Sequence, residues 1–477
     1  MLANKNLKFM KKLSVILIAT SLVAFSTMFI SCKKKEGCTD KTALNYDPDA
    51  KKDDGSCKYA EDTATIILQG SITNDMTLKS NRKYLLKGFV YVENGATLTI
   101  EPGTVIKGDK DTKGSLIIKR GGKIMAVGTP QKPIVFTSNK PAGQRDYGDW
   151  GGIIICGKAP VNLPGGEGLI EGGPDALYGG NDPNDNSGKL KYVRIEFAGI
   201  AFQPNQEING LTLGGVGAGT EIAYVQVSYN GDDAFEFFGG TVNVKYLVSF
   251  RTWDDDFDTD NGWSGKAQFC FALRDPNIAD QSGSNGFESD NDAQGTQAQP
   301  YTSGVFSNVT ILGPITPTNT QFNQQYKRAA HLRRNTKLKI FNSVFCGYPV
   351  GLLIDGSAAE ANAQNGDLMF KNNIIAGCTN PLAVASGSSF DIQTWFNAQG
   401  QNNQITNIND LQLNSNAWNL TNPNFIPQSG SPLLSGASFS YAPLQNSFFE
   451  QVNFIGAFGN TNWAAGWTNF DPQNTTY

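Results

Sequence analysis

The chain has 477 residues, with 52 glycines, 11% aromatic residues and only 17% charged ones, a composition that suits a turn-rich all-β protein and argues against a helical or disordered chain. Its 39 basic and 43 acidic side chains leave a formal charge of −4, which removes the electrostatic reason to expect nucleic acid as a partner. Length alone does not set the domain count, because a solenoid grows coil by coil without enlarging any single core.

The first segment reads as a processing signal, residues 1–31. Lys5, Lys8, Lys11 and Lys12 form a positive region, residues 13–30 are apolar, and Phe29-Ile30-Ser31-Cys32 resembles a lipobox, in which the cysteine receives diacylglycerol. A transmembrane anchor is the competing reading, but the short stretch, its Ser-Cys ending and the following Lys33-Lys34-Lys35 favour lipidation of Cys32. Residues 32–36 then form a lipidated tether, and the expected location is the outer membrane, anchored through lipid and facing the cell surface. The three lysines depart from the acidic residues usual after the lipidated cysteine of surface-exported proteins.

Residues 37–59 form a small polar module bracketed by Cys38 and Cys57, which are expected to pair in an oxidising compartment. Its CTD, NYDP and DDGSC segments resemble a Cys-bracketed module of secreted and surface proteins in Bacteroidota-type bacteria. Cys156, Cys270, Cys346 and Cys378 sit in apolar, strand-like surroundings and read as buried thiols.

From about residue 60 to 440 the chain breaks into short β-rich runs separated by Gly, Asn, Asp and Pro. Two segments superpose at a spacing of 22. Asp232-Asp233-Ala234-Phe235-Glu236 matches Asp254-Asp255-Asp256-Phe257-Asp258, Gly240 matches Gly262, and Tyr246-Leu247-Val248 matches Gln268-Phe269-Cys270. Further copies are Gly286-Phe287-Glu288-Ser289-Asp290, after an insertion near residues 277–284, and His331-Leu332-Arg333-Arg334-Asn335. A second strand recurs as FSNVTILG at 306–313, IFNSVFCG at 340–347 and FKNNIIAG at 370–377. Repeats of this length with irregular loops predict a right-handed parallel β-helix, a solenoid whose corners favour glycine at positive φ. Alternation along each strand points Phe235, Phe257, Phe287 and Leu332 inward and Glu236, Asp258, Glu288 and Arg333 outward.

Residues 441–477 depart from the repeat. Trp463, Trp467 and Phe470 are read as an aromatic C-terminal cap over the final coil, with a sugar platform as the other reading. The opening block at residues 88–106, the Gly148-Asp149-Trp150-Gly151-Gly152 motif, the acidic coils and the Gly-Ala-Phe-Gly and Trp ending resemble a family of exported β-helix proteins of Bacteroidota-type bacteria. That resemblance implies an architecture similar to the pectate-lyase-like superfamily; it carries no activity by itself.

Stacked outward carboxylates about 4.8 Å apart repel one another, so Glu236, Asp258 and Glu288 are expected to share a cation. Ca²⁺ suits such a site, with Asp232, Asp233, Asp254, Asp255, Asp260 and Asp290 as further oxygen donors nearby, whereas Asp355 lies outside the column. The competing reading is a hydrated acidic face screened by salt. A Ca²⁺-dependent polysaccharide lyase would use Arg333 or Arg334 as base, with His331, the single histidine, as the other candidate; a glycosidase would use two of the carboxylates. Trp253 and Trp263 are the candidate ligand-binding rings. A glycan-binding or protein-binding lipoprotein leads, with an enzyme and a purely structural or adhesive envelope protein as alternatives.

Overall fold

A computed structural model describes residues 35–41, 43–58, 64–203, 206–398 and 404–477. The signal segment and Cys32 lie outside the described residues. The chain divides into two units, residues 1–62 and 63–477. In the first, Glu36–Gly37 pairs in parallel with Lys52–Asp53, and Cys38 and Cys57 form the expected disulfide. Among the described residues no helix is long and apolar enough to cross a membrane.

The second unit is a right-handed parallel β-helix built on one 26-stranded sheet. Each coil of its middle section has three faces. The first carries Phe235–Phe238, Phe257–Asp260 and Phe287–Ser289 in succession, in the register Phe235↔Phe257↔Phe287. The second and third are the two halves of a single strand, such as Asn243–Phe250 or Lys266–Leu273, bent in the middle. Inward residues of all three faces make one apolar column, with Phe235, Phe257 and Phe287 fully buried in it.

The 22-residue superposition is correct for the first face and slips by one for the others. Leu247 pairs with Cys270 and Val248 with Phe271, because one extra residue enters the loop between Asp260 and Lys266. The fourth copy slips by two: Glu288 pairs with His331, not Arg333, and Ser289 with Leu332. A slip of two preserves the face, so Leu332 remains inward and Arg333 outward.

Glycine turns only part of the corners. Gly240 (φ 82°) and Gly262 (φ 90°) serve the turn after the first face. The bend between the second and third faces is made by Tyr192, Tyr224, Tyr246, Phe269, Asn308, Asn342 and Asn372, all with φ between 51° and 60°. Left-handed backbone is costly for such residues, and the stack offsets it. Tyr192, Tyr224, Tyr246 and Phe269 lie ring on ring at 4.4, 4.3 and 5.1 Å, and Asn372 donates to Asn342 at 2.6 Å.

The C-terminal aromatic segment covers apolar surface, but it runs lengthwise along the third face instead of closing the last coil. Amide side chains on successive coils hold its backbone: Asn342 Nδ2 donates to Ser438 O, Asn308 Nδ2 to Phe454 O, Gln268 Nε2 to Glu450 O and Gln226 Nε2 to Asn469 O. Trp467, Phe458 and Ile455 pack onto the outward apolar side chains Phe250, Phe271 and Leu312. The segment ends with Tyr477 donating to the buried Glu196 at 2.6 Å. A long exposed apolar face is what this return path removes.

Candidate functional site

The first face of the β-helix carries the chemistry. Its outward column runs Glu236, Asp258, Glu288, His331, and the next column runs Asp260, Asp290, Arg333, Asp355. Immediately before each strand the turn adds a pair of acids, Asp232-Asp233 on one coil and Asp254-Asp255 on the next. These turns are ordered by a ladder in which each side chain accepts the following coil's N–H: Asn209 Oδ1 from Asp233, Asp233 Oδ1 from Asp255 at 2.7 Å, and Asp255 Oδ1 from Asn285. Below them the buried Arg274 bonds Asp256 at 3.3 Å and the carbonyl of Thr252 at 3.1 Å, pinning the turn from inside.

Nine carboxylates and one guanidinium line a cavity of about 310 Å³ on this face. The sequence-predicted Glu236, Asp258, Glu288, Asp233, Asp255 and Arg333 all border it. Asp260 and Asp290 do not. Asp290 instead accepts from Arg333 Nε and Arg334 Nη1, both at 2.8 Å. Asp232 and Asp254, the further turn acids expected nearby, border it as well, and two contributors were not among the sequence's candidates: Glu171 and Glu207, from insertions far along the chain. No periodic signal marks Glu171 or Glu207. Asn209 joins the insertion to the column, donating to Glu171 at 3.1 Å and to Glu236.

The three catalytic candidates are tied into this acid network. His331 is buried, with Nδ1 at 3.2 Å from Glu288 and Nε2 at 2.9 Å from Asp355, so it is not the surface residue that the nearby Arg333 and Arg334 imply. Arg333 bonds both Glu288 and Asp290. Burial alone would lower its pKa, but Glu288 and Asp290 carry it upward, away from what a general base needs. Arg334 bonds Asp290.

The two tryptophans part company. Trp263 is fully buried against Phe237 and Phe306 and belongs to the core, which removes it from any ligand site. Trp253 is 38% exposed, stacks on Tyr147 at 5.4 Å, and lines a second cavity of about 750 Å³ that shares Glu207, Asp232, Asp254 and Ser282 with the acidic one. Cys156, Cys270 and Cys346 are buried free thiols and Cys378 is half-buried; burial pushes the Cys156 thiol up to about 12, which makes it unreactive.

Burial, reinforced by neighbouring carboxylates, raises Asp232, Asp233, Glu236, Asp255 and Asp258 well above the usual carboxylate range. Asp254 is raised to about 6 and Asp260 to about 7, again chiefly by burial. Burial acts the same way on Glu288, but the hydrogen bond to His331 and the charge of Arg333 bring it below its ordinary value. A carboxyl with a raised folded pKa keeps its proton longer in the folded chain, so its contribution is complete below about pH 4 and is lost as pH rises through the folded value. The metal-free protein should therefore melt at a higher temperature at about pH 5 than at about pH 8. Calorimetric scans across that range check it, and a profile that falls on acidification would contradict the burial of these groups.

Residues 70–468 match a family described as a pectate-lyase like beta helix domain. No curated protein and no solved structure matches the chain.

Proposed function

The chain belongs to that pectate-lyase-like β-helix family, and from this premise we propose that it is a lipid-anchored outer-membrane protein whose β-helix binds glycan through a Ca²⁺-bearing acidic groove. Family membership supplies the scaffold and not the activity. The observation that carries the proposal is the convergence of nine carboxylates and a single guanidinium beside the exposed Trp253, which stacks on the half-buried Tyr147. Repulsion within the groove calls for a hard cation, for which carboxylate and amide oxygens are the fitting donors. Sugar hydroxyls and carboxylates are oxygen ligands of the same kind, and an aromatic face beside them supports a pyranose ring. The tether rests on the positive, apolar and Ser-Cys pattern ending at Cys32.

A hydrolytic reading draws on the several carboxylates that share the groove, two of which a glycosidase requires. The lyase reading is weaker, since Arg333 is held by two carboxylates.

One preparation tests both halves of the proposal. Cys32→Ser should move the protein from the membrane fraction into the soluble one and abolish palmitate labelling; unchanged labelling would refute the anchor. On a glycan array this soluble form should retain glycans in Ca²⁺, and lose them with chelator or with Trp253→Ala. Empty arrays under every condition would leave a structural or adhesive role, and release of unsaturated uronate or reducing ends would turn the reading toward an enzyme.

A further inference from the structure

The acidic groove resolves into three overlapping triads, each with one oxygen per residue within 4.8 Å of the others. Asp232, Asp233 and Asp254 make the first, Asp233, Glu236 and Asp258 the second, and Asp255, Asp258 and Glu288 the third. Asp233 is thus common to the first two and Asp258 to the last two.

Their charges are met differently. In the third triad Glu288 bonds Arg333 with one oxygen and His331 with the other, so a guanidinium already offsets it. Among the described residues, no basic side chain pairs with any carboxylate of the first two triads. Hydrogen bonding separates them too. The Asp233 side chain, in a residue more than nine-tenths buried at 8% exposure, accepts the Asp255 N–H on Oδ1, while Oδ1 of Asp258 and of Asp254 is sealed from solvent and has no donor. Buried oxygens of this kind are costly unless a cation or donor meets them.

We infer that the groove holds two divalent cations side by side, bridged by Asp233: an inner ion on Asp233, Glu236 and Asp258, and an outer ion on Asp232, Asp233 and Asp254. The inference rests on the cation-binding function proposed above and adds the number of ions and their separate roles. The inner ion is walled by the column itself and stiffens it. The outer ion sits on Asp232 and Asp254, the two turn acids that also border the Trp253 cavity. Three carboxylates do not complete the six to eight oxygens that Ca²⁺ takes, so its remaining positions face that cavity and receive the oxygens of an incoming anionic or polyhydroxylated ligand. A bridging carboxylate between adjacent ions is the usual arrangement of paired metal sites.

The whole chain, stripped with chelator and titrated with Ca²⁺ by calorimetry and native mass spectrometry, should bind two ions. Asp254→Asn should bind one, and Asp233→Asn should lose high-affinity binding altogether. Tb³⁺ emission sensitised by Trp253 should disappear in Asp254→Asn and survive in Glu236→Gln. One ion on the wild-type chain overturns the pair while leaving the cation-dependent function standing; no ion overturns both.

Discussion

Phe257→Asp should lower the stability of the β-helix by roughly 3 kcal/mol or more, the largest effect expected of any single substitution in the acidic coils. Phe257 is fully buried, with ring centroids 5.6 Å from Phe235 and 5.2 Å from Phe287. Aspartate there would face two rings with no donor, and in a stack of coils each rung depends on its neighbours, so the loss spreads in both directions. Thr259 lies on the same inner face two residues later and bonds Ser289 at 2.8 Å. Because Ser289 also meets Thr336 at 2.7 Å, Thr259→Val should cost only about 1 kcal/mol. Denaturant melts compare the two, and wild-type behaviour for Phe257→Asp would contradict the inward column.

Chelation should lower the melting temperature, and added Ca²⁺ should restore it. An ion bound at a hundredfold excess over its Kd stabilises by about 2.7 kcal/mol, and a second ion adds to this. The acidic coils should loosen first, read as early loss of amide protection in the strands Phe235–Phe238 and Phe257–Asp260. Asp258→Asn should blunt the response, since Asp258 belongs to two of the triads. Asp355, outside the column on sequence grounds, bonds His331 at 2.9 Å and so touches the network. Asp367, paired with Lys337 at 2.9 Å, is the better control. Identical melting with and without chelator would sink the cation site.

The sequence by itself determined the β-helix, the Cys38–Cys57 bridge, the inward Phe235, Phe257 and Phe287, and the outward Glu236, Asp258 and Glu288. These are legible because strand alternation and coil repetition are local rules, so a residue's face follows from its place in a short period. Two kinds of feature escaped. The length of each loop sets the pairing of the strand that follows it, which is why Val248 meets Phe271 and why His331, not Arg333, stands beside Glu288. Contacts across long stretches of chain have no period at all. Only the tertiary structure brings Glu171 and Glu207 to the groove, buries Trp263 while leaving Trp253 at its mouth, and lays the C-terminal aromatics along the third face. The physical reason is the same in each case: backbone periodicity determines which way a side chain points, whereas the packing of insertions against the finished solenoid decides what it meets.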